Sequence, residues 1–135
     1  MLEGDHDFNN GADTFKIALF KANSSISGTY GAATTNYSDV TGNSDETTGT
    51  GYSSGGNTLT NVDPTTSGTT AFTDFADTSW TSATFTTRGA IIYNTNDSNS
   101  AVMIIDFGAD FSVSGGTFTV EFPAAGASTA ILRIA

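Results

Sequence analysis

Apolar side chains in this chain return at every second position far more often than at every third or fourth, the pattern of strands buried on one face. In Thr14 to Phe20, Phe15, Ile17 and Leu19 share one face while Lys16 and Ala18 lie on the other. The residues between reinforce the pattern. Ser and Thr fill more than a quarter of the chain. Ser, Asn and Asp draw backbone groups into competing hydrogen bonds, and Thr is stiff at its first torsion, so helices are disfavoured. Thr alternating with Phe, Ile or Val suits a pleated strand.

Further strands are expected at Asn57 to Val62, Thr70 to Ala76, Trp80 to Thr86, Gly89 to Asn94, Ala101 to Phe107, Thr117 to Phe122 and Thr129 to Ile134. Turn residues punctuate them: Gly55-Gly56, Ser67-Gly68, the all-polar run Asn94 to Ser100, and Gly115-Gly116 as a tight turn. Ile91-Ile92 and Met103-Ile104-Ile105 are apolar at consecutive positions, which predicts central strands covered on both faces. The expectation is an all-β chain: one β-sandwich or jelly-roll-like domain over residues 1–135, with about seven or eight mostly antiparallel strands. Residues 1–13 read as a polar lead, and residues 21–54 as a long Gly/Ser/Thr-rich loop pinned to the body by a few aromatics.

The 135 residues suit one core. Fourteen acidic residues face four basic ones, Lys16, Lys21, Arg88 and Arg133, for a net charge of −10. No basic cluster exists to neutralise phosphates, so neither nucleic acid nor an anionic membrane is expected as a partner. No apolar run is long enough to span a bilayer, and Met1 to Asp5 lacks the character of a signal peptide. With no Cys, there is no disulfide, thiolate metal site or Cys nucleophile.

Candidate chemistry is sparse. Asp5 to Gly11 places oxygen ligands at alternate positions as a calcium loop does, but Gly11 falls one place late and Lys16 stands where a bidentate Glu belongs. His6 is the only histidine and reads as a solvated terminal residue; Gly-x-Ser-x-Gly is absent. Asp45-Glu46 lie in the loop region, and Asp74, Asp77, Asp106, Asp110 and Glu121 sit near strand ends. Asp106 or Asp110 pairing with Arg88 or Arg133 explains such acids better than a two-carboxylate hydrolase. No residue is assigned to catalysis, to a cofactor or to a metal, and the chain is read as non-enzymatic. Tyr30, Tyr37, Tyr52 and Trp80, with Tyr93, are the candidate contacts for a glycan or a protein partner, although Trp80 suits the core equally well.

Gly49 to Leu59, Phe85 to Tyr93, Ile105-Asp106-Phe107-Gly108 and the ending Phe122-Pro123 to Ile134, in that order and spacing, resemble small virion structural proteins of tailed bacteriophages. The resemblance covers nearly the whole chain. It implies a non-enzymatic virion component, foremost a head decoration or cement protein that binds the major capsid protein or another virion protein and self-associates as a homo-oligomer. A tail or fibre adhesin holding a host-surface glycan is the alternative. The family supplies no catalytic residues to carry over.

Overall fold

Strand β1 (Phe15–Phe20) is buried along almost its whole length and organises what surrounds it. The computed structural model describes residues 6–135; the expectations for Met1 to Asp5, including the first ligand position of the calcium-like run, lie outside the described residues. After β1 come a one-turn helix α1 (Ser38–Gly42) and strands β2 (Asn57–Thr58), β3 (Asn61–Ser67), β4 (Thr70–Phe75), β5 (Thr78–Asn94), β6 (Ser100–Val120) and β7 (Leu132–Ile134). They form two antiparallel sheets, one ordered β2-β1-β5-β6 and one ordered β3-β4-β7. The described residues form a seven-stranded β-sandwich, as the alternation predicts.

The two faces of β1 go where period two sends them. Phe15, Ile17 and Leu19 join Trp80, Phe85 and Ile92 in the core between the sheets, and Phe75 of β4 closes it from the other side, its ring 5.6 Å from that of Phe15. Ala18 and Phe20 face the opposite way and form a second cluster with Ile91, Tyr93 and Val40. That second face is covered by the long region 21–54. Ile26, Tyr30 and Tyr37 pack on it, and Val40 of α1 is fully buried there. A five-residue helix has no period to read, so the sequence does not announce α1. It is held by local bonds: the Asp39 carboxylate accepts the backbone N–H groups of Thr35 and Asn36, and the Asn36 side chain accepts that of Ser38.

Three expectations need correction. Trp80 to Thr86 and Gly89 to Asn94 are one strand, β5. The chain does not turn at Thr87-Arg88, because the Thr87 hydroxyl donates to the carbonyl of Phe20 at 2.8 Å and a register shift carries pairing through to Gly89. There a side chain would collide with the Phe20 ring and the Ile105 carbonyl, so glycine is required. Gly115-Gly116 is likewise a β-bulge inside β6 and not a tight turn. Gly115 takes φ +64°, its N–H is captured by the Thr84 hydroxyl at 2.9 Å, and pairing steps from Thr84↔Ser114 to Ala83↔Gly116. Lastly, Ile91 and Ile92 are central and fully buried, but Met103, Ile104 and Ile105 lie on the edge strand β6 and are only partly buried.

Candidate partner-binding surface

Asp45 and Glu46, expected in the long loop region, are 1% and 9% exposed. The segment they belong to runs antiparallel to the end of β1: Lys21 N–H donates to the Asp45 carbonyl, and Thr47 N–H donates to that of Leu19. Their side chains turn in opposite directions, as on any strand. Asp45 accepts from the backbone N–H groups of Ser27 and Gly28 and from the Tyr30 hydroxyl. Glu46 accepts from the hydroxyls of Tyr37 (2.7 Å), Tyr52 (2.9 Å) and Ser54 (2.8 Å) and from Gly55 N–H (2.6 Å). Buried carboxylates are tolerated when their lone pairs are filled in this way.

The electrostatics follow from these contacts. Burial works to raise the Asp45 pKa, but the hydrogen bonds from Tyr30, Gly28 and Ser27 outweigh it, and the carboxyl lies below its ordinary value. Burial, then the bond to Asp45, pushes Tyr30 up to about 12. Burial, then the bond to Glu46, pushes Tyr37 up to about 12. Tyr52 and Tyr93 are raised as well, chiefly by burial and then by neighbouring charge, Glu46 on Tyr52 and Tyr37 with Glu46 on Tyr93.

The predicted contact residues therefore divide by role. Tyr30, Tyr37 and Tyr52 meet around the two carboxylates, and Tyr37 stacks on Tyr93 with ring centroids 4.4 Å apart and planes 6° from parallel. Trp80 is 3% exposed and packs against Tyr52, Phe85 and Phe118. These rings fasten the 21–54 region to the sheet. His6 does not stand free: its ring meets Phe8 and Phe15 edge-on, and its Nδ1 lies 3.0 Å from the Asn94 side-chain nitrogen. Asp106 pairs with Arg88 at 2.9 Å, and Asp110 accepts Asn23 N–H. Among the described residues, no group of three or more His, Asp and Glu is placed to hold a metal ion.

The open surface lies along β6. Phe107 and Phe118 would stand about 36 Å apart on a fully extended strand. Their ring centroids are 6.1 Å apart. β6 therefore coils back on itself, helped by the bulge at Gly115 and by a second irregularity opposite Arg88, where Gly108 takes φ +79° and pairing jumps from Gly89↔Asp106 to Thr87↔Phe111. The coil encloses a cleft of about 710 Å³. Met103, Ile105, Phe107 and Phe118 line it, with Phe122 and Ile131 from the chain leading to β7. An aromatic path runs from the core to this cleft: Trp80 touches Phe118, Phe118 touches Phe107, and Phe107 meets Phe111, which is 47% exposed. The cleft is a continuation of the core that the two sheets leave uncovered.

Sequence reasoning missed this surface. The apolar run Met103-Ile104-Ile105 was legible, but such a run predicts buried faces and says nothing of whether another element covers them. Comparison of the chain with protein-family models, with curated proteins and with solved structures finds no match.

Proposed function

We propose that this chain is a non-enzymatic binding module that serves as an accessory structural protein of a bacteriophage virion, seated on the head lattice in the manner of a decoration or cement protein. The observation that carries the reading is the apolar cleft inside the coil of β6, with exposed Phe111 beside it, in a domain whose tyrosines and buried carboxylates are committed to holding the fold. Exposed apolar clefts of this kind are where proteins take partners. The ordered resemblance of four sequence blocks to virion proteins supports the setting, and the lack of thiols suits a particle exposed to its environment.

On this reading the partner is the major capsid protein or a neighbouring virion protein, and copies gather around a lattice symmetry axis. Since each copy carries a net charge of −10, lattice contacts must offset repulsion between copies. The glycan-adhesin alternative draws no support from Trp80, which is core, or from Tyr30, Tyr37 and Tyr52, whose hydroxyls are already bonded.

Purified chain added to capsids of its own phage should co-sediment with them to a saturable level and raise the temperature at which they fall apart. Absence of the chain from the head fraction of purified particles overturns the reading.

A further inference from the structure

We infer that the β6 cleft takes an extended segment of another polypeptide, apolar at alternate positions and flanked by Lys or Arg, which pairs with the outer edge of β6 and sends its apolar side chains into the cleft. The inference rests on the reading of the cleft as a partner-binding surface and specifies what fills it.

Three observations define the occupant. The first is the edge. β6 pairs with β5 on one side, and its other side meets Thr35 and Asn36 at the start, where Ala101 N–H donates to the Thr35 carbonyl and Ser100 bridges to Asn36; further along, Tyr30, Gly31, Ala32 and Thr34 face Ala101 to Ile104 and Asp106 across a pocket. Among the described residues no strand pairs with that side beyond Ala101, so a row of backbone donors and acceptors faces outward beside an apolar cleft. A strand satisfies both at once, bonding the edge and burying every second side chain. The second is the length of clean edge. From Met103 to Asp106 β6 pairs with β5 in unbroken register; Val102 is the extra residue of a bulge opposite Ile92 and Tyr93, and the chain bulges again at Phe107 to Asp110. About four residues lies within the ordinary range of strand lengths, enough to place two side chains in the cleft.

The third is charge. The cleft lining holds Asp106 and Glu121 and no basic residue, and Asp110 is exposed next to Phe111. Arg88, close by, is already paired with Asp106. The field at this mouth is negative, and the domain around it carries a net charge of −10. That disfavours a second copy of this chain and an anionic fatty acid, and it favours a cationic apolar segment.

The test uses the isotope-labelled full chain and three synthetic peptides of about ten residues. One alternates Val and Thr between terminal lysines, one replaces the lysines with glutamates, and one keeps the lysines but carries a central proline. The lysine peptide should bind saturably, with amide shifts centred on Val102 to Asp106 and Phe118 to Phe122. The glutamate and proline peptides should each bind about tenfold more weakly or worse, the first for charge and the second for the lost strand pairing. Phe111→Asp, at a half-exposed site, and Ile105→Ser should both weaken the lysine peptide while thermal unfolding of Phe111→Asp stays near that of the parent.

Equal binding of the proline peptide overturns strand pairing, and no binding of any peptide overturns the inference. Saturable binding of laurate in preference to peptide, or a dimer in solution that Phe111→Asp dissolves, overturns it as well. If the chain still co-sediments with capsids in any of those cases, the decoration reading stands and only its cleft assignment falls. If the peptide binds but capsids do not, the reverse holds.

Discussion

The backbone N–H of Leu19 in β1 donates to the hydroxyl of Tyr52, 33 residues further along, at 2.9 Å. β2 covers the outer edge of β1 near Lys16 and Ile17, and the Asp45 to Thr47 segment covers it near Phe20. Tyr52 bridges the gap: its hydroxyl accepts the N–H that neither segment reaches and donates its own O–H to Glu46. A tyrosine thus completes the ladder of a buried strand.

Tyr52→Phe should cost about 2 kcal/mol, since it strips a partner from a buried N–H and from a buried carboxylate while keeping the ring. Glu46→Ala should cost more, about 3 kcal/mol or above, because Tyr37, Tyr52, Ser54 and Gly55 all lose their acceptor. Urea unfolding with an unchanged slope measures both. Equal stability of parent and Tyr52→Phe would falsify the bridging role.

Alkali should unfold the protein before it ionises the tyrosines. Tyr30 and Tyr37 are pushed up to about 12, and Tyr52 and Tyr93 are also raised. An unfolded tyrosine ionises near 10. A folded value above the unfolded one means stability that is complete below about pH 10 and drains away as pH climbs toward about 12. Tyrosinate absorbance should therefore rise in one step together with loss of the strand circular-dichroism signal. A tyrosine that titrates near its free value while the fold persists contradicts this cluster.

At the acid end Asp45 acts with the opposite sign. Its folded pKa lies below the ordinary carboxylate value, so its contribution is present above about pH 3.9 and is lost as pH falls through the folded value. Asp45→Asn should be about 2 kcal/mol less stable than the parent at neutral pH. The gap should narrow below about pH 4. Urea midpoints across that range measure the convergence; parallel curves would show that the carboxylate charge contributes nothing.

Two glycines of similar backbone conformation should respond differently to alanine. Gly56 has φ +71° and a Cβ there would strike the Ile17 carbonyl, whereas Gly68 has φ +60° with nothing within 4 Å. Gly68→Ala should cost about 1 kcal/mol, the strain of the left-handed backbone alone. Gly56→Ala should cost about 3 kcal/mol or more, since β1 must also move. Thermal unfolding of the pair separates strain from collision.

Much of the fold is legible along the chain, and particular residues show where legibility stops. The Arg88–Asp106 pair was within reach because few cations exist to choose among. The polar hairpin Asn94 to Ser100 and the turn at Ser67-Gly68 were read from turn chemistry and lie between β5 and β6 and between β3 and β4. Gly115-Gly116 misled because glycine serves a turn and a bulge equally, and only the Thr84 hydroxyl waiting on the neighbouring strand decides between them.

What the sequence by itself determined is the local rule: period two, abundant Thr and scarce helix formers leave strands as the low-energy choice. The tertiary structure alone decided which faces are closed. Asp45 and Glu46 became interior because Ser27, Gly28, Tyr30, Tyr37, Tyr52, Ser54 and Gly55 converge on them from different parts of one long loop, and Met103 to Phe107 stayed half open because β6 ends its sheet and coils with no strand beyond it among the described residues. Alternation along a strand depends on neighbours in sequence. Burial depends on neighbours in space, and those come from segments whose meeting no local pattern encodes.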